Sequence, residues 1–229
     1  MKNEEHNILG FPLSTIVDSV VPKTKFYHFM EVNPRMKVRF VNDVESIHWL
    51  YKLSPDTLNV TASDDMVEIE VFVATLKNAD CPTDLFTFID THMPRHLVFI
   101  LQYEGNSMLL INYKQWKDNS HTAFKITQMF ASPWVPDSSL QLQIDGLSLP
   151  RIYDNFVAQI SGIGDHQAGS MEDIVILQQQ IAKAEKELQT IEKRMRNEPQ
   201  LDLQMQIHAQ ARKKRKEIDE LKLKLNELK

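Results

Sequence analysis

The sequence predicts an α+β protein: a mostly antiparallel sheet with flanking helices, followed by a C-terminal antiparallel helical hairpin of coiled-coil type. Three observations predict it. Apolar runs of period two recur between residues 47 and 144, mostly joined by short polar links. The stretch Ser161 to Ser170, SGIGDHQAGS, holds half of the six glycines and has the composition of a flexible linker. Beyond it the period changes: Ile174, Leu177, Ile181, Ala184, Leu188, Ile191 and Met195 keep an unbroken 3,4 spacing. The expected layout is a body over 1–160, a linker over 161–170, and a hairpin over 171–229 that turns near 197–201.

Within the body, Ser14 is expected to cap a short helix running to about Val20 and stopped by Pro22. Thr24 opens a further turn. Asn33-Pro34 is a helix start, with Asn as N-cap and Pro at the first helical position; Val38, Val41 and Val44 then fall at helical spacing. Ile47, Trp49, Tyr51 and Leu53 alternate with His48, Leu50 and Lys52, a strand that runs into the turn Ser54-Pro55-Asp56. Val67, Ile69, Val71 and Val73 mark a second strand. Pro82 opens a helix over TDLFTFIDTH. HLVFILQY and MLLINYK, separated by EGNS, form a hairpin. TAFKITQMF is a strand, LQLQI a shorter one, and Ser148 caps a closing helix, LPRIYDNFVAQI. Helices are expected on one face of the sheet.

The helical tail has two arms divided by Pro199, each about 40 Å long at 1.5 Å per residue. The second arm carries Ile207, Ala211, Ile218, Leu221, Leu225 and Leu228, interrupted by Lys214. Two helices joined by a narrow seam are marginal alone. The tail is therefore expected to associate, through Ile174, Leu177, Ile181, Leu188, Ile191, Ile218, Leu221 and Leu225, with a second copy, with a different protein or with its own body.

Charge and composition narrow the chemistry. Residues 171–229 carry 13 Lys/Arg and 11 Asp/Glu, net +2, whereas residues 1–170 carry 13 and 20, net −7. An acidic body is a poor general binder of nucleic-acid backbone. The lone Cys81 excludes an intrachain disulfide and a thiolate cluster. MKNEEHNILG has no apolar core of signal-peptide type, and apolar runs such as LVFIL are too short to span a bilayer, so a cytoplasmic protein is expected.

Each candidate chemistry has a plain alternative. Arg212, Lys213, Lys214, Arg215 and Lys216 are a candidate nucleic-acid contact, but a hairpin sets them opposite Glu185 to Glu187, as a solvated and partly paired face. Glu68 and Glu70 on one strand suggest metal-dependent nuclease acids, yet the lysine of that pattern is replaced by Phe72. Two exposed acids are the simpler reading. His92 and His96 have the spacing of a helical metal pair, broken by Pro94. Cys81 before Pro82 is a thiol at a helix start without assignable partners. GIGDHQAG lacks the Lys-Ser/Thr of a phosphate loop. Neither cofactor nor metal is expected. Trp49, Tyr51, Lys52 and Asn59 are a candidate surface pocket, but Trp49 and Tyr51 on one strand face suit a core-facing row better.

The segment YKLSPDTLNV, preceded by VNDVESIHW and FYHFM, resembles a bacterial family, domain of unknown function 4391. FPLST near the start, a VFIL strand before a hairpin, and IYDNFVAQI ahead of a charged helical tail extend the resemblance over most of the chain. No activity is established for that family, and it lends no catalytic residues. Its genes tend to lie beside restriction-type helicases and DNA methyltransferases. The resemblance therefore implies a non-catalytic accessory subunit of a restriction or anti-phage defence complex. Its partners would be a second copy or a larger protein such as a helicase or methyltransferase. The alternative is a metal-dependent nuclease or a DNA-contacting adaptor of such a system.

Overall fold

The computed structural model describes residues 7–29, 34–80, 83–116, 124–163 and 170–228. The chain divides into two units, Met1–Gly162 and Ile163–Lys229. The first holds β1 (Ile16–Val20), α1 (Lys23–Phe29), α2 (Pro34–Asp43), β2 (Val44–Leu53), α3 (Pro55–Leu58), β3 (Ile69–Leu76) and α4 (Asp84–His92). It continues with β4 (His96–Tyr103), β5 (Asn106–Trp116), β6 (Phe124–Ala131), β7 (Val135–Pro136) and α5 (Leu149–Ser161). The second unit is α6 (Met171–Asn197) and α7 (Leu201–Leu228).

The strands form one sheet in the order β1-β2-β3-β4-β5-β6, with β7 beside β5. All pairs are antiparallel except β3 and β4, which are parallel and joined by the crossover helix α4. This parallel pair lies at the centre, and almost every residue of β3 and β4 is buried. A sheet covered on both faces needs such continuous apolar runs. Helices accordingly flank both faces, not the one face expected: Thr87 and Asp90 of α4 reach Asn112, whereas Tyr153 of α5 stacks on the adjacent Tyr113. Successive strand residues point to opposite faces. One core layer gathers Phe40, Ile47, Phe72, Phe86, Ile89, Phe99 and Leu101. On the other side Phe11 meets Tyr51 at 4.9 Å and Phe156 at 6.1 Å between ring centroids.

Local sequence explains most elements and several departures. Ser148 caps α5 through its hydroxyl, and Gly162 ends it in the left-handed region at φ 69°. Glu104 and Gly105, at φ 45° and 76°, make the tight β4–β5 turn. The stretch after Ser14 is not a helix. A single 3-10 turn, Leu13–Thr15, leads into β1, whose Ile16 and Val20 pair with Tyr51 and His48 of β2. Sheet pairing prevails there over the capping signal, with β-branched Ile16, Val17 and Val20 favouring the strand. In α2 the buried residue is Phe40, while Val38 and Val41 stay 57% and 53% exposed and Val44 already belongs to β2. Ser54 to Asn59 is a full helical turn, not a tight turn. The Thr57 hydroxyl accepts from the Ser54 amide, and Asn59 closes it at φ 54°.

LQLQI, expected as a strand, joins no ladder. Leu140 and Leu142 are buried, but the backbone of Gln143 is bonded by a side chain. Its amide donates to Gln159 Oε1 at 2.8 Å, and Gln159 Nε2 donates to its carbonyl at 2.9 Å. Asn33, Cys81, Pro82, Thr122, Ala123, Gly164 and Gly169 lie outside the described residues, and with them the Asn33 cap, the Cys81-Pro82 helix start and most of the expected linker.

The body contains a fully buried ion pair. Lys114 Nζ on β5 lies 2.6 Å from Asp90 Oδ1 on α4, and both side chains are 0% exposed. Lys114 also donates to the carbonyls of Asp90 at 3.0 Å, Met93 at 3.3 Å and Arg95. Asn112 Nδ2 donates to the second Asp90 oxygen at 2.9 Å, and Thr87 donates to Asn112 Oδ1 at 3.0 Å. Burial pushes the Asp90 carboxyl up and the Lys114 amine down, while the pairing opposes both. An amine facing only oxygen acceptors needs all three protons, so the geometry favours the ammonium. Replacing Lys114 with Met strands a buried carboxylate. Chemical denaturation should show a loss of about 3–5 kcal/mol, and Asp90→Leu/Lys114→Met should recover at least half of it.

Candidate functional site

Two places gather the chemistry-bearing residues: the α6–α7 arm and a charged cluster at one end of the sheet. In the arm, apolar residues at heptad spacing form a stripe on each helix, broken on α7 by Lys214, and the two helices pack together. Pro199 lies between the helices. Ile174, Ile181, Ala184, Ile207, Ala211, Ile218 and Leu225 are buried; Leu177, Leu188, Ile191 and Leu221 are half-buried. These residues form the interface between the two helices, and the seam is closed largely by their packing. Lys214 stays at the seam by extending its amine to Glu187 at 2.9 Å and Glu217 at 2.8 Å.

Only part of the basic run, Lys214 and Arg215, faces acids of α6. Arg215 meets Glu192 at 2.7 Å, and Lys222, just beyond the run, meets Glu185 at 2.8 Å. Lys216 approaches Glu220 only to 3.7 Å, with 81% of its side chain exposed. Arg212 and Lys213 make no ion pair with a described residue. Exposed pairs of this kind each contribute on the order of 0–1 kcal/mol, so the apolar seam and not the charges holds the arm together.

The second place lies where β2 ends and β3 and β4 begin. Glu68 is clamped by Lys52 at 3.0 Å and Arg95 at 2.7 Å. Glu70, next on the same side, is only 7% exposed. The two acids are therefore not the exposed edge pair expected, because β3 is a central strand covered on both faces. Burial raises the Glu68 carboxyl, but hydrogen bonds from Lys52 and Arg95 outweigh it and hold the carboxyl below the ordinary range. Glu70 is pushed up to about 7, by burial first and then by the Glu68 charge and the hydrogen bond between the two carboxyls. His96, enclosed by Phe124 and Tyr153 at ring distances of 5.2 and 4.8 Å, is lowered to about 3 by burial and the nearby Lys114 charge. It is a neutral imidazole at physiological pH. Among the described residues, no three His, Cys, Asp or Glu side chains converge to hold a metal ion. His92 ends α4 with Nδ1 2.8 Å from the Phe88 carbonyl, while His96 starts β4, so the two do not share a helical turn.

The four residues of the candidate pocket do not converge. A bulge at Leu50 makes Trp49 pair with Phe72 and Tyr51 with the adjacent Val71, so their side chains leave opposite faces of the sheet. Trp49 is half-buried against the Phe72 layer; Tyr51 is fully buried, and its hydroxyl donates to Asn7 Oδ1 at 2.8 Å. Lys52 is engaged by Glu68, and Asn59 is the exposed left-handed cap of α3. The sequence reading overlooked Arg95, Asp90 and Lys114. Their signal was a charge set beside apolar runs, as in LFTFID and LLINYK.

Two measurements check these assignments. Glu70 has its folded pKa above the ordinary 4.5, so its protonated form stabilises the fold below that pH, and the stabilisation is lost as pH rises through about 7. Glu70→Gln keeps the neutral shape. In thermal denaturation its midpoint should exceed that of the parent at pH 8 and match it near pH 5. In the arm, Ile181→Asp/Ile218→Asp buries two charges in the seam, at a cost of roughly 3 kcal/mol or more each. Circular dichroism should show much of the α6–α7 helicity lost while the sheet signal persists.

No curated protein and no solved structure matches the chain. The family model described as "Domain of unknown function (DUF4391)" matches residues 9–218. That match takes in the whole sheet, α5, α6 and most of α7, and by it the chain belongs to the DUF4391 family.

Proposed function

We propose that the chain is a non-catalytic interaction subunit of a bacterial restriction-type or anti-phage defence complex, joined to a larger helicase or methyltransferase partner through its α6–α7 arm. The observation that carries this reading is the arm itself. Two helices of 27 and 28 residues belong to a compact unit of their own and expose Leu201, Met205 and Leu223 at 69%, 66% and 62%. Such surface on a long helical element suits helix-to-helix association. With the seam engaged inside the chain, the outer surfaces are what a partner can use.

The nuclease alternative has less support. Glu68 already holds two cations, and Glu70 is half-protonated near neutrality, so neither is a free metal ligand. The test is co-expression of the full chain with a restriction-type helicase and with a DNA methyltransferase. The expected result is a complex that survives gel filtration and is lost in Ile181→Asp/Ile218→Asp. A complex that persists in that variant, or none with the parent chain, defeats the proposal.

A further inference from the structure

We propose that the face of α7 turned away from the α6 seam is a docking surface for a helix of a different protein whose centre carries carboxylates. Met205, Ala209, Arg212, Lys216, Asp219 and Leu223 follow one another at spacings of 4, 3, 4, 3 and 4. That is a second heptad stripe on the same helix, and all six residues are exposed. The first stripe, with Ile207, Ala211, Ile218 and Leu225, is buried. At 100° per residue the two stripes lie on nearly opposite sides of α7. A single amphipathic surface helix needs only one such stripe.

The composition of the second stripe selects its occupant. Apolar Met205 and Leu223 stand at the ends, 66% and 62% exposed. Arg212 and Lys216 occupy the centre, the first without an ion pair to a described residue and the second only loosely held at 3.7 Å. Charged residues at heptad core positions choose partners by what they repel as much as by what they attract. A second copy is repelled: an antiparallel pairing that sets Met205 against Leu223 places Arg212 against Lys216 twice, and a parallel pairing places each against itself. A nucleic-acid backbone would satisfy the cations but leave the apolar ends unused. A helix with Glu or Asp at its centre and apolar residues about two turns to either side satisfies both.

The inference rests on the arm being the association element. Its probe is a fluorescein-labelled helical peptide of about 21 residues, three heptads, with Leu at both ends and Glu at the two central positions of one 4,3-spaced face. A counterpart carries Lys in place of Glu. The full chain should bind the Glu peptide at least about tenfold more tightly than the Lys peptide in fluorescence anisotropy. Arg212→Glu/Lys216→Glu should invert that order. Lys213→Glu/Lys224→Glu, an equal change of charge off the stripe, should leave it unchanged. All four substitutions are at exposed or partly exposed surface positions, and circular dichroism verifies that the helices remain.

Equal affinity for the two peptides, no binding of the Glu peptide up to millimolar concentration, or an equal effect of the off-stripe pair overturns the inference. So does a duplex DNA probe that binds in place of the peptide and is lost with Arg212→Glu/Lys216→Glu. If the co-expressed complex needs the arm yet tolerates Arg212→Glu/Lys216→Glu, the docking face is wrong and the role of the arm stands. If that complex persists in Ile181→Asp/Ile218→Asp, both fall together.

Discussion

Lys114 carries its charge fully buried, and the body is arranged around that constraint. Its ammonium reaches the Asp90 carboxylate and three backbone carbonyls at the end of α4 and the start of β4. It therefore ties the crossover connection to β5. The crossover creates the parallel β3–β4 pair, and parallel strands require cover on both faces. Helices on both sides, the continuous apolar runs of β3 and β4, and the depth of Glu70 and His96 all follow from this central placement. A buried pair of this kind is weak evidence for stability but good evidence for one specified arrangement, since any slip of α4 would leave a charge alone in the interior.

The charged end of the sheet is read better as a continuation of that network than as a reaction centre. Cations and acids alternate there, Lys52 and Arg95 with Glu68 and Lys114 with Asp90, and each found its counterpart. Glu70 sits under electrostatic strain, because a buried carboxyl lies beside Glu68, which is held ionised. The arm differs in kind. Its order comes from a repeating seam, and its charges are solvated ones that select and do not stabilise.

Residue patterns made the arm legible almost in full, because heptad spacing is a long signal; Pro199 marked a break, which a hairpin or one long kinked helix would both have explained. The β4–β5 hairpin was equally plain from EGNS. What could not be read depended on neighbours distant in sequence. Ser14 looks like a cap until Tyr51 and His48 are known to pair with β1. Trp49 and Tyr51 look like one face until the bulge at Leu50 separates them. Glu68 and Glu70 look exposed because alternation within a strand cannot reveal whether the second face is also covered. Asp90 and Lys114 are 24 residues apart, and nothing local to either names the other.

The pairing of Gln143 with Gln159 also bears on how this protein behaves at high concentration. The stretch around Leu140 and Leu142 is apolar on alternate positions, the pattern of a segment that can pair with a like strand. Its backbone amide and carbonyl at Gln143 are occupied by a side-chain amide anchored on α5. The Gln159 side chain thus occupies the backbone groups through which Gln143 would otherwise pair with another strand.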